Sequence, residues 1–205
     1  MVFLSIEWIN FIVMISSSLL LTIFYIKSVQ PVLLEKKTGE VAFKRCYYYR
    51  IIASSLMGII IITQFVYFCY PLLLFFPRFF PWDYWVSFLI AIIIAVPSFI
   101  FMFKGVHDAG EETIKPSRNH SLYGGIYTKI RHPQAIGELG VWWIVPFLLN
   151  FPFLCVFSLI WIPIFYLFCV YEEKDLELRY GEEYIEYKKK TGMFIPKLKS
   201  FKKNQ

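Results

Sequence analysis

Two stretches of this chain gather side chains able to do chemistry beside long apolar runs. Residues 119–138 read NHSLYGGIYTKIRHPQAIGE, and residues 171–196 read YEEKDLELRYGEEYIEYKKKTGMFIP. Imidazole, guanidinium and carboxylate groups can hold a charged ligand and move protons, and tyrosines offer aromatic faces to a cation. His132 opens one apolar run and Glu172 closes another. If those runs are antiparallel neighbours, the two residues meet at one membrane surface with a pocket between them. The plainer alternative has Arg131 and His132 anchoring a helix end among lipid headgroups, while Glu172 and Glu173 begin a solvated helix. Glu138 fits that alternative less well. It lies five residues past Pro133 and precedes Leu139, Val141 and Trp142, where an unpaired carboxylate is costly. It is expected to face the bundle interior, partnered by Arg131 or His132.

Other chemistries find little support. There is no phosphate loop, and Gly124 with Gly125 alone makes no dinucleotide fingerprint. His107, Asp108, His120 and His132 follow no zinc spacing, so no metal site is expected. Cys46, Cys69, Cys155 and Cys169 lack paired spacing, three lie inside apolar segments, and they read as inert buried thiols. The lysines at 188–190, 197, 199, 202 and 203 read as a solvated or anionic-lipid-facing tail, and no nucleic-acid partner is expected.

These residues need a frame, and composition indicates which. The 205 residues are 58% hydrophobic and 20% aromatic, against about 45–50% apolar in a soluble domain. A net charge of only +6 with 22 Phe, 14 Tyr and 6 Trp also excludes disorder. A bilayer core of about 30 Å calls for about 20 apolar helical residues. The expected fold is all-α and polytopic, a single membrane domain with five transmembrane helices at about residues 6–26, 51–76, 84–103, 133–149 and 153–171. The first run has no basic region before it and no cleavage pattern after it, so it reads as a helix and not a signal. Asn150, Phe151 and Pro152 break the last apolar stretch into a hairpin. Its first arm, 17 residues, is roughly 25 Å long and barely spans. Pro97 and Pro163 mark bends inside spans, and Trp82, Tyr84 and Trp85 an interfacial anchor.

Basic residues then give the orientation. Residues 27–50 hold six Lys and Arg, residues 104–134 hold five and the segment after Tyr171 holds nine, whereas Arg78 stands alone on the other side. The positive-inside rule places the N-terminus outside and the C-terminus in the cytoplasm. The cytoplasmic parts at residues 104–134 and 172–205 then form one helical pocket at the C-terminal end of the fold.

The order GIYTKIRHPQAIG, helical hairpin, EEKDLELRYGEEYIEYKKKTGMFIP resembles the integral-membrane methyltransferases that include isoprenylcysteine carboxyl methyltransferase and the phospholipid methyltransferases. The likeness covers residues 119–196. It rests on Gly125-x-Tyr127, Arg131-His132-Pro133, Glu172-Glu173 and Tyr180-Gly181-x-x-Tyr184-x-x-Tyr187. It implies a cytoplasm-facing pocket for S-adenosylmethionine, with a lipid-like or small hydrophobic acceptor entering from the bilayer. Asn119, His120, Ser121 and Leu122, Tyr127, and Arg131 through His132, Pro133, Gln134 and Ala135 would line the cofactor, and Glu172 would hold its amino group. Two positions depart from the family. Ala135 stands where the motif carries Tyr. Phe168 stands where the prenylcysteine enzymes carry an Arg for the substrate carboxylate.

Methyl transfer from a sulfonium needs mainly alignment and exclusion of water. A carboxylate acceptor is already ionised and a thiol needs little help, whereas an amine must lose a proton, making Glu138 or Glu173 the candidate base. A similar R-H-P element with a polar C-terminal helix occurs in membrane sterol reductases, which are larger and use NADPH. A non-catalytic membrane module whose motifs only anchor helix ends is the third possibility.

Overall fold

The structure, a computed structural model, describes residues 5–72, 76–118 and 124–197. Among these the fold is all-helical: α1 (Ile6–Ser28), α2 (Pro31–Thr38), α3 (Ala42–Cys69), α4 (Tyr84–Ala109), α5 (Pro133–Leu148), α6 (Pro152–Ser158), α7 (Trp161–Tyr180) and α8 (Glu182–Lys190). Short 3₁₀ turns occupy Gly39–Val41, Gly110–Thr113 and Gly125–Thr128. Four helical stretches are long and apolar enough to cross a membrane: Ile6–Ser28, Pro31–Cys69, Tyr84–Thr113 and Pro152–Tyr180. The protein is an integral membrane protein on that evidence. Only 17% of the most apolar window of Tyr84–Thr113 is buried, so most of that helix presents Ile, Leu and Phe side chains that only lipid can cover.

The second expected helix, at residues 51–76, changes at both ends, and it stops at Cys69. The second helix starts at Ala42, nine residues before the apolar run, because the basic residues of residues 42–50 continue the helix beyond its apolar part. The stretch at residues 133–149 forms α5, whose 16 residues reach roughly 24 Å, short of the length needed to cross on composition alone.

Proline and asparagine shape the last hairpin. Asn150 takes the left-handed conformation (φ 57°), which its short polar side chain tolerates. Its Oδ1 accepts a 2.5 Å hydrogen bond from Ser87 Oγ, which in turn accepts one from Trp82 Nε1 at 2.9 Å. Pro163 carries no N–H for the Leu159 carbonyl, which accepts from the Ile162 N–H at 3.2 Å instead, and the helix breaks just before it, at Leu159 and Ile160, separating α6 from α7. Pro97 sits inside an unbroken α4.

The helices pack as two antiparallel pairs around α7. In the first pair, Asn10 Nδ2 of α1 donates to the Thr63 carbonyl of α3 at 3.0 Å. In the second, Gly137 and Gly140 let α5 lie directly on α4. A Cβ at Gly137 would sit 2.5 Å from the Ser98 carbonyl oxygen and 2.6 Å from the Met102 nitrogen. Small residues serve close approach of this kind in membranes, where hydrophobic burial does not drive helix association. The core between the pairs is aromatic, with Trp142 stacked on Trp161 at 4.1 Å and Tyr25 on Phe168 at 4.2 Å. The ends of α1, α4 and α7 and the starts of α3 and α5 thereby gather at one end of the bundle.

Candidate functional site

At that end, residues 125–132 cross between α4 and the C-terminal segment. Gly125 has φ 58°, a conformation that favours glycine, and a side chain there would strike the carboxylate of Asp108. Asp108 instead accepts the Ile126 N–H at 2.8 Å. The turn points Tyr127 inward, where its hydroxyl donates to the Gly105 carbonyl at 3.2 Å. From the other side, Tyr187 Oη donates to the Tyr127 carbonyl at 2.6 Å. The Arg131 and His132 N–H groups donate to the Gly192 and Met193 carbonyls at 2.9 and 3.2 Å. Burial pushes the Tyr187 phenol up to about 12 and raises the Tyr127 phenol as well, so both remain protonated donors.

Glu173 is the centre of the site's charge network. Its Oε1 accepts from Arg131 Nε at 2.7 Å and His132 Nε2 at 3.0 Å, and its Oε2 pairs with Lys188 Nζ at 2.8 Å. The Arg131 guanidinium also donates to the Thr191 carbonyl. The neighbouring Glu172 meets His132 Nδ1 at 3.3 Å. His132 is buried, which opposes its protonation. Hydrogen bonds to Cys169, Glu172 and Glu173 outweigh that burial and hold the imidazole well above its usual range. The proximity of His132 and Glu172 expected from the sequence is therefore present.

A second set of contacts ties the loops to α7. Arg179 donates to Glu112 at 2.7 Å, both side chains being buried. Arg50 donates to the Glu112 and Thr113 carbonyls at 2.6 and 2.7 Å. Asp175 accepts the Val32 and Leu33 N–H groups at 3.2 and 2.8 Å, capping the start of α2 from another helix. Gln134 Nε2 donates to Thr113 Oγ1 at 2.9 Å. The sequence reading missed Arg50, Glu112, Asp175 and Arg179. A signal for two of them was present: Phe165, Phe168, Glu172, Asp175 and Arg179 recur every three or four residues, so one face of α7 passes from apolar to charged without a break.

That face and the 125–135 segment enclose a cavity. Of the residues expected around a ligand, Tyr127, Arg131, His132, Gln134, Ala135 and Glu172 line it. Pro133 does not; it begins α5 and packs near Gly105. Asn119, His120, Ser121 and Leu122 lie outside the described residues. Tyr25, Arg50, Phe168, Arg179, Tyr184 and Tyr187, with the acids Glu112 and Asp175, complete walls that are aromatic and carry both signs of charge. Glu172 is the carboxylate with capacity to spare: its side chain is 35% exposed and His132 is its partner among the described residues.

The two expected bases differ. Glu173 has both oxygens engaged and lies outside the cavity lining, which makes it the anchor of Arg131, His132 and Lys188. Glu138 is not held by Arg131 or His132, which Glu173 and Glu172 occupy, and its buried Oε2 has no partner among the described residues. It lies close enough to Glu172 and Arg50 for their charges to act on it. Three of the cysteines are buried, as expected, but Cys69 is exposed, and Cys169 is a cavity residue. Among the described residues no group of three His, Cys, Asp or Glu is placed to hold a metal ion. Compared with protein-family models, curated proteins and solved structures, the chain gives no match.

Proposed function

We propose that the protein is an S-adenosylmethionine-dependent methyltransferase of the membrane, acting on a lipid-like or small hydrophobic acceptor. The convergence of His132 and Glu172, distant in sequence and 3.3 Å apart, on one aromatic-walled cavity supports this reading most directly. The donor set suits the cofactor. Glu172 has lone pairs free for a primary ammonium, and Tyr127, Tyr184 and Tyr187 present electron-rich rings to a sulfonium. Asn119, His120, Ser121 and Leu122 join them on the strength of the family resemblance. Bound there, the cofactor supplies an electrophilic methyl group. The chain's own part is to bind, orient and keep water out, with Glu173 fixing Arg131 and His132 from behind.

Phe168 stacks on Tyr25 where the prenylcysteine enzymes carry an arginine. That wall offers rings, but Arg50, Arg131 and Arg179 bring guanidinium groups to the same cavity, so a carboxylate, an amine or a thiol acceptor is compatible with it. For an amine, Glu138 is the candidate proton acceptor; it lies behind the cavity lining, close enough to Glu172 and Arg50 for their charges to act on it.

We read α5 as a fifth crossing. Its start lies beside Gly105 of α4 and the Asn150 turn beside Ser87, so α5 and its turn match the depth of α4 between those residues. Five crossings put the basic segments together in the cytoplasm and the N-terminus outside. Impermeant labelling of single cysteines placed near each terminus tests this; labelling of both from one side rejects it.

Calorimetric titration of the detergent-purified protein with S-adenosylmethionine tests the activity class. Saturable binding, weakened roughly tenfold to a hundredfold in Glu172→Gln, is expected for the loss of one charged hydrogen bond. No binding by a folded sample discards the proposal.

A further inference from the structure

A second cavity lies across the wall from the first. It is a groove of about 680 Å³ between α4 and the segments around Ile126 and Phe194. Ile100, Phe101, Ile130 and Phe194 form its apolar floor, and Lys104 and Lys129 stand at its rim. Its depth in the membrane follows from α4. Lys104 is the first charged residue after Tyr84, twenty residues on, which is roughly 30 Å of helix and matches the hydrocarbon thickness. The floor therefore belongs to the acyl region and the rim to the headgroups.

Charge selects the occupant. Lys104 and Lys129 are exposed and form no ion pair among the described residues. Asp108, the acid in the groove, is committed to the Ile126 N–H at 2.8 Å and to His107 Nδ1 at 3.0 Å. Two ammonium groups against one engaged carboxylate leave the rim net positive. Among the described residues a zwitterionic headgroup finds no free carboxylate or aromatic cage for its cation. A soluble phosphate makes no use of the floor, where Ile100 is 50% exposed toward lipid.

We propose that this groove binds one anionic phospholipid, its phosphate held by Lys104 and Lys129 and an acyl chain lying along Ile100 and Phe101. The site is separate from the proposed cofactor pocket but shares a wall with it. Ile126 and Ile130 face the groove, while Tyr127 and Arg131 face the cavity. Phe194 of the groove lies 6.1 Å from the His132 ring. A bound lipid thus steadies the segment that positions Tyr127 and His132, whichever ligand the cavity takes.

Native mass spectrometry of the full chain, with phosphatidylglycerol or phosphatidylcholine added to the micelles, tests this. One phosphatidylglycerol should be retained in preference to phosphatidylcholine. Lys104→Gln/Lys129→Gln should weaken its retention roughly thirtyfold, about 2 kcal/mol for two surface charges at 1.4 kcal/mol per tenfold change. Lys104→Arg/Lys129→Arg should keep the preference, and Lys190→Gln should leave it intact. Thermal midpoints confirm that each variant is folded. Equal retention of the two lipids, an unaffected Gln double variant, or an equal loss in Lys190→Gln overturns the proposal. Glycerol phosphate displacing the lipid at matched concentration also overturns it, since the floor would then contribute nothing.

Discussion

The Nε2 of His132 lies 3.0 Å from Oε1 of Glu173, while the opposite ring nitrogen lies 3.3 Å from Glu172. One imidazole thus sits between adjacent carboxylates with different surroundings. Glu173 is buried against three donors, whereas Glu172 faces the cavity. Their substitutions should separate. Glu173→Ala leaves the Arg131 guanidinium buried without its carboxylate and should cost about 3 kcal/mol of stability, read as a lowered thermal midpoint. Glu172→Gln, which removes only the 3.3 Å pairing of a partly exposed side chain with His132, should lower that midpoint much less. Equal destabilisation by the two would show that Glu172 is also structural.

The same imidazole predicts a pH dependence. His132 is held well above 6.5 in the fold, against its usual value unfolded. Its proton is bound more tightly when folded, so this stabilisation is complete below about pH 6.5 and is lost as pH rises through the raised native value. The thermal midpoint should fall between neutral and alkaline pH, and His132→Gln should flatten that fall. A wild-type midpoint that rises over the range contradicts the charged imidazole. Lys188, raised by Glu173 and Glu177 despite burial, loses its contribution only above 10.5.

The contact between α4 and α5 predicts opposite effects at two glycines. A methyl group at Gly137 meets backbone atoms of Ser98 and Met102, which cannot rotate away. Gly137→Ala should cost about 1–3 kcal/mol. Gly58 on α3 faces open space, with no atom within 4 Å of where a methyl group would sit, and Gly58→Ala should gain about 0.5–1 kcal/mol from helix propensity. Thermal unfolding in one detergent compares them directly. A neutral Gly137→Ala would mean that the two helices can separate.

The features readable in advance were those set by local pattern. Apolar run length located α1, α4 and the last helix, and Asn150 with Pro152 located the hairpin turn. His132 and Glu172 were paired from topology alone, because antiparallel helices bring a start and an end together. What escaped the sequence depends on side-chain direction at long range. Asp175 caps a helix some 140 positions earlier, and Arg50 donates to carbonyls of a distant turn. Periodicity puts Asp175 on the charged face of α7, but nothing local names the partner that it or Arg50 reaches. Arg131 was misassigned as a partner of Glu138 for a related reason: closeness along the chain favours Glu138, but α7 supplies Glu173 directly against the guanidinium.

Glu138 provides the prediction that separates chemistry from packing. Its Oε2 is buried and unpartnered among the described residues, and an ionised carboxylate in that state costs the fold several kcal/mol. A group kept purely for stability would be improved by removing the charge, so Glu138→Gln should hold or raise the thermal midpoint. If Glu138 takes the proton of an amine acceptor, the same substitution should lower turnover by roughly a hundredfold or more with little change in cofactor affinity. The loss should be confined to amine acceptors, since a thiol needs no strong base. Stability and turnover therefore move in opposite directions if the carboxylate serves catalysis. Falling together, they would show that Glu138 holds the bundle through a partner beyond the described residues.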